Sequence, residues 1–184
     1  MPKASIVRKG LNKTRNWDGL QAIAKANAAI DKGRDGMGML AEAAEELAGF
    51  MSTPEQRFSD RIFNLAIWTE ALLTMADHLG NDPDYAPAAV NAARIALHIT
   101  DTSGGAFCQQ AGERILTHAP ALAKIDLEDA RDALMEARSM QRHGPLIEKI
   151  DAALNTLRPR IEENGVRAIA GRFVDKHGKK PTFG

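Results

Sequence analysis

The sequence predicts an all-α fold, a single-domain bundle of six to eight helices. Three observations predict it: apolar residues recur at helical spacing along most of the chain, alanine and leucine are abundant, and aromatic residues make up only 5%. No stretch alternates polar and apolar residues in the way a half-buried strand does. The 184 residues, of which 44% are hydrophobic and 26% charged, suffice for one domain with a real core.

The central element of this bundle is predicted to be a long helix at about 54–79. Thr53 can cap its start, Pro54 suits the first helical position, and Gly80 follows as a stop. Its apolar residues cover more than half of the helix circumference, which is typical of a central helix. Phe63 and Ile67 lie on the other arc, so they need cover from a further helix of this chain or from a partner.

Glycines and prolines divide the rest of the chain into shorter helices. The expected spans are 17–32, 37–51, 88–100 and 106–118, and Pro120 is expected to close the last of them. From 127 to 163 we expect a C-terminal helical hairpin, with Asp126 as the cap of its first arm and Pro159 as a kink in its second. Beyond residue 164, four apolar residues at helical spacing predict a last short helix: Val166, Ile169, Ala170 and Phe173.

The charge distribution divides the chain into three parts, although the net charge is zero. Residues 1–16 form a basic arm with five basic residues and no acid, and residues 165–184 form a basic tail with a possible short helix. The helical bundle domain between them, 17–164, is acidic overall. The basic ends can contact nucleic acid, or they can dock on the acidic body of the same or a neighbouring subunit.

The chain is expected to act in the cytoplasm. No apolar run approaches the roughly 18 to 20 residues that a membrane span needs, so no membrane partner is expected. The basic N-terminal stretch lacks the apolar core of a secretion signal. The single cysteine, Cys108, excludes an internal disulfide and fits a reducing compartment.

The leading functional hypothesis is a non-catalytic helical interaction or assembly protein that self-associates. It depends on the two-sided apolarity of the long helix, on the methionines of the second helix, and on the opposite charges of arms and body. The partner is another protein or a second copy of the chain, which makes a homo-oligomer the expectation. The predicted partner-binding residues all belong to the long helix: Phe63, Ile67, Glu70, Asp77 and His78.

The alternative hypothesis is a nucleic-acid-associated protein that binds through its basic ends. Basic side chains near an aromatic residue suit phosphate contact together with base stacking, and Trp17 and Phe173 supply the aromatic rings. The candidate residues are Arg8, Lys9, Lys13, Arg15, Arg167, Arg172, Lys176, Lys179 and Lys180. Such binding would weaken sharply with salt.

A helical enzyme is the third interpretation. The run from Arg138 to His143 resembles the Arg-x4–6-His motif of HEPN-type RNA-cleaving domains, over six residues. The resemblance implies that Arg138 and His143 would face an RNA phosphate at a groove between two copies. Basic residues are also favourable at a helix C-terminus without any catalytic role, because of the helix dipole.

Metal chemistry is the other form that the enzyme interpretation could take. His78, His98 and His118 each lie near the end of a different predicted helix, so they could converge at one end of the bundle. The helix dipole explains these positions without a metal, and the chain has no Glu-x-x-His pair of the kind that di-metal bundles use. We therefore predict no metal site, no cofactor and no catalytic residue.

Overall fold

The structure, a computed structural model, describes residues 17–52, 62–99 and 105–177, and these residues fold into an all-α bundle. Within these ranges, the side chains of residues 17, 18, 20, 52, 62–65 and 166–177 are not described. The seven α-helices of the described residues are α1 (Trp17–Asp31), α2 (Met37–Ser52), α3 (Ile62–Leu79), α4 (Ala86–Ile99), α5 (Gly105–Ile125), α6 (Leu127–Met140) and α7 (Gly144–His177). Short 3-10 turns at Gly33–Gly36 and Pro83–Tyr85 precede α2 and α4.

Neighbouring helices in the sequence are also neighbours in space, and α4 is one of the helices with several partners. It packs against α2, α3, α5 and α6. Five of its seven buried residues are alanines, with Val90 and Leu97 supplying the bulk. Small side chains let helix axes approach closely, so several helices can share this one as their packing centre.

The turn between α1 and α2 depends on two glycines, as the sequence predicts. Gly33 has a φ of 60°, a left-handed conformation that glycine adopts without strain. Gly36 is buried so closely against the main-chain carbonyl of Ala29 that a Cβ there would overlap it. Because a carbonyl inside a helix cannot move aside, this contact fixes how the start of α2 packs on the end of α1.

The largest core side chain is Trp68 of α3, which is only 2% exposed. Its ring meets the ring of Phe50 from α2 edge to face, with the centroids 5.7 Å apart. Gly19 of α1 faces both rings, and a Cβ at this position would lie 3.0 Å from each of them. The three helices therefore join around one aromatic pair, an arrangement that adds about 0.5–1.5 kcal/mol to the burial of the rings.

The predicted long helix corresponds to α3, but its predicted length is not confirmed. α3 is described from Ile62, and Thr53 and Pro54, the predicted cap and first residue, lie outside the described residues. It packs against α1, α2, α4 and α5. The longest helix of the described residues is instead α7, with 34 residues.

The C-terminal hairpin is confirmed as α6 and α7, joined by residues 141–143. The side chain of Asp126 accepts a hydrogen bond from the main-chain N–H of Asp129 at 3.0 Å, which is the predicted cap. Its second arm continues past the predicted end at 163, because α7 runs without interruption through Pro159 and Gly165 to His177. The short helix predicted in the tail is thus the outer end of α7.

The prediction that Pro120 ends the fifth helix is wrong. α5 continues through Pro120 to Ile125. Proline removes one main-chain hydrogen bond, at a cost of about 3 kcal/mol. The residues around it, Ala119, Leu122 and Ala123, are buried in the core, and their packing outweighs that cost.

Among the described helices, none combines the length and the apolarity that crossing a membrane requires.

Candidate functional site

A cleft of the described residues lies where the turn between α1 and α2 meets the connection between α3 and α4. Its volume is about 480 Å³. Four apolar side chains line it, and six further residues complete it: Ala29, Ile30, Met37 and Leu40, then Gly33, Arg34, His78, Asn81, Asp82 and Pro83. A cleft of this volume with apolar walls resembles a small-molecule site.

The charged groups at the rim of this cleft already face each other. Arg34 Nε lies 3.5 Å from Asp82 Oδ2, although the Arg34 side chain is 86% exposed. The other oxygen of Asp82 accepts the main-chain N–H of Asp84 and so caps the 3-10 turn before α4. The rim therefore offers one cation and one anion, and it does not favour a ligand of either charge.

The predicted partner-binding residues of α3 do not form one surface. The side chain of Phe63 lies outside the described set, Ile67 is half-buried and Glu70 is exposed. Asp77 accepts a hydrogen bond from Arg114 Nη2 of α5 at 2.8 Å, and His78 lines the cleft. The four residues whose side chains are described therefore lie in four different surroundings.

Asp77, Arg114 and His118 form a polar cluster between α3 and α5. Arg114 also reaches the carbonyl of Leu73, with Nε 3.4 Å from the oxygen. One turn further along α5, the His118 ring packs on Gly80, where any Cβ would overlap it. His118 Nε2 is buried and has no hydrogen-bond partner among the residues that the structure describes.

The surroundings of His118 favour the neutral form of its imidazole. Burial lowers the pKa of this group below its ordinary value, Asp77 opposes this in part, and the nearby Arg114 lowers it further. A half-buried histidine packed on glycine in this way fits a role in helix packing. The sequence offers no local sign of this cluster, because Arg114 lies 37 residues from Asp77.

A second ion cluster joins α4 to α6. Arg94 donates to both oxygens of Glu136 at 2.6 and 2.8 Å and to Asp129 at 2.8 Å, and His98 Nε2 lies 3.4 Å from Glu136. Hydrogen bonds from Arg94 hold the pKa of the Glu136 carboxyl below its ordinary value. A carboxylate held this way is committed to an ion pair that connects two helices, so it is a poor candidate for proton transfer.

The three histidines of the metal hypothesis are placed apart. His78 lines the cleft, His98 contacts Glu136, and His118 packs between α3 and α5. In the part of the chain that the structure describes, no three potential ligands among His, Cys, Asp and Glu gather where they could hold a metal ion.

Arg138 and His143, the pair that resembles the HEPN motif, have different partners. Arg138 forms an ion pair with Asp151 of α7. His143 lies between α6 and α7 and lines a small cleft of about 200 Å³ with Glu113, Thr117 and Lys149, whereas Arg138 is not among the lining residues. Between them in the sequence, Gln141 is buried and donates to the carbonyl of Cys108 at 2.8 Å.

The basic ends of the nucleic-acid hypothesis lie mostly outside the described residues. This is so for Arg8, Lys9, Lys13, Arg15, Lys179 and Lys180. Arg167, Arg172 and Lys176 belong to α7, although their side chains are not described. The nucleic-acid hypothesis therefore stays a prediction.

The outer end of α7 is the feature that sequence reasoning missed. Arg160 donates to the carbonyl of Ala123 at 3.2 Å, two residues before α5 ends, and Ile161 is half-buried. The next four residues, Glu162 to Gly165, are all exposed. From this point α7 runs to His177, which at 1.5 Å per residue is about 24 Å of helix. The signal was present in the sequence as helical spacing on both sides of Asn164-Gly165, but that pair was interpreted as a break.

When the chain is compared with known proteins, no family model, no curated protein and no solved structure matches it.

Proposed function

We propose that this protein is a non-catalytic helical assembly protein that self-associates through the outer end of α7, residues 162–177. The observation that carries the proposal is the exposure of α7 beyond its hydrogen bond to α5. Arg160 donates to the carbonyl of Ala123, and the four residues from Glu162 to Gly165 are exposed.

The stability of such a segment supports a partner. Isolated helices of about 12–15 residues or fewer are marginal in water even when rich in alanine, and the segment 162–177 is only slightly longer. This segment contains Gly165 and Gly171 and three β-branched residues, all of which form helix less readily than alanine does. A covering partner would supply the free energy that the segment lacks.

The sequence of the segment supports an apolar contact. Val166, Ile169, Ala170 and Phe173 recur at helical spacing, the pattern of a helix with one buried side. At the base of the segment, Ile125 ends α5 two residues after the carbonyl that Arg160 contacts, and it is 57% exposed. Apolar residues are therefore available along the segment and where it leaves the bundle.

The compartment and the absence of catalysis belong to the same proposal. A single cysteine leaves the chain without an internal disulfide, which suits the reducing cytoplasm. Engagement of Arg138 by Asp151 favours a structural role over an RNA-cleaving one.

Truncation tests the proposal directly. The full chain is compared by sedimentation equilibrium with a chain that ends at Ile161 and with a control that ends at His177, which keeps the whole of α7. We expect the full chain and the control to form dimers at tens of micromolar, roughly the range for a small interface, while the chain ending at Ile161 stays monomeric. Equal masses for all three chains would refute the proposal.

A further inference from the structure

We infer that the outer end of α7 pairs with the same segment of a second copy in the antiparallel direction, about a two-fold axis near residues 169 and 170. This inference rests on the proposed self-association and adds the partner, its direction and its register. Its basis is the order of charged and apolar positions along one side of a helix that leaves the bundle.

The first step is the arc of the helix that these positions share. At about 100° per residue, one arc of about 140° holds the acidic Glu162 and Glu163, then four apolar residues, then Lys176 and His177. The apolar residues in the middle are Val166, Ile169, Ala170 and Phe173. The arc is therefore acidic at the bundle end, apolar in the middle and basic at the far end.

The second step is what this order means for pairing. In a parallel pair, Glu162 of one copy would face Glu162 of the other, and Lys176 would face Lys176, so that like charges oppose each other at both ends. In an antiparallel pair the acidic end of each copy lies against the basic end of the other. With the axis at Ile169, Glu162 comes to the same height, and to the same side of the pair, as Lys176 of the second copy.

The third step is symmetry. A two-fold pair buries the same surface on both copies, so one arc must be complementary to itself. The α7 arc meets this condition, because reversing its direction exchanges its acidic and basic ends and leaves the apolar middle in place. Each favourable charge contact then occurs twice in the dimer.

The geometry of the bundle leaves room for this arrangement. Because α7 leaves the bundle beside the end of α5, the two bundles of an antiparallel pair lie at opposite ends of about 24 Å of paired helix. The tip of each segment reaches the base of the other, where the exposed Ile125 lies.

Charge reversal tests the direction of pairing. Glu162→Lys alone and Lys176→Glu alone each place like charges opposite each other twice in an antiparallel dimer, so we expect each to raise the dissociation constant by about tenfold or more. The double variant E162K/K176E restores opposite charges and is expected to return the dissociation constant close to that of the unchanged chain. In a parallel dimer all three variants would keep the affinity of the unchanged chain.

Asp175→Lys provides a matched control, because position 175 lies on the opposite side of the helix from the arc. This variant also changes an acid to lysine, and we expect no change in dimer affinity. Circular dichroism of each variant checks that the bundle unfolds at the same temperature as in the unchanged chain.

The two proposals fail in different ways. If dimers need residues 162–177 but the three reversals leave affinity unchanged, antiparallel pairing is wrong and self-association stands. If the chain ending at Ile161 has the same mass as the full chain, self-association through this segment is wrong and the inference falls with it.

Discussion

His118 shows how one side chain can make the stability of this protein depend on pH. Its ring packs on Gly80 beside Asp77 and Arg114, and burial lowers its pKa below the ordinary value of 6.5. In the unfolded chain the same imidazole has its ordinary pKa. As the pH falls, the unfolded state therefore binds this proton before the folded state does, and stability decreases.

We expect the thermal unfolding midpoint to fall as the pH is lowered from about 7.5 to about 5.5, through the ordinary histidine pKa. In a His118→Gln variant, which removes the titrating group, the fall over this interval should be smaller. His143→Gln is the control because His143 is exposed in the connection between α6 and α7. Identical pH profiles for the unchanged chain and His118→Gln would show that another group controls stability in this range.

At the scale of single helices, α5 contains a proline that lowers the stability of the folded protein and could be replaced. Pro120 is exposed and lies inside the helix, five residues before its end. Because proline has no main-chain N–H, the carbonyl of Leu116 loses its helical hydrogen-bond partner. Because the ring is exposed, little core packing is expected to offset this backbone cost.

Replacing Pro120 with alanine should therefore stabilise the protein by roughly 1 to 3 kcal/mol, which corresponds to a rise of several degrees in the thermal midpoint. The matched control is Pro145→Ala in the first turn of α7, where a main-chain N–H has no helical partner in any case. We expect the control to change the midpoint little or to lower it slightly. If the two variants shift the midpoint equally, the proline inside α5 carries no special cost.

At the scale of the whole molecule, periodicity was sufficient to predict the fold class. Apolar residues at helical spacing bury one side of each helix, and that pattern depends on local sequence alone. The boundary predicted at Pro120 is wrong for a physical reason. Local breakers cost a few kcal/mol at most, and buried neighbours such as Leu122 and Ala123 can outweigh that cost in the fold.

The sites were harder to predict, because spacing identifies a side of a helix but not what covers it. Glu70, Asp77 and His78 share one side of α3, yet Asp77 meets Arg114, His78 lines a cleft and Glu70 is exposed. Arg94 likewise pairs with Glu136, which lies 42 residues further along the chain. Pairs so far apart in the sequence are determined by how the helices pack, and no local sequence pattern predicts them.

If the outer end of α7 pairs outside the bundle, assembly and folding of the bundle should be separable. Residues 162–177 are roughly a tenth of the chain, and their poor helix formers, Gly165 and Gly171 among them, leave them only marginally helical without a partner. On dilution below the dimer dissociation constant, we expect the helical far-UV circular dichroism per residue to fall by roughly that fraction. The near-UV signal of the buried Trp68 should stay constant, because it reports on the packing of α1, α2 and α3.

The chain that ends at Ile161 is the control, and it should show no change in either signal with concentration. A near-UV signal that weakens together with the far-UV signal on dilution would mean that pairing holds the bundle itself together, and that the segment is part of its folded core rather than an attachment to it.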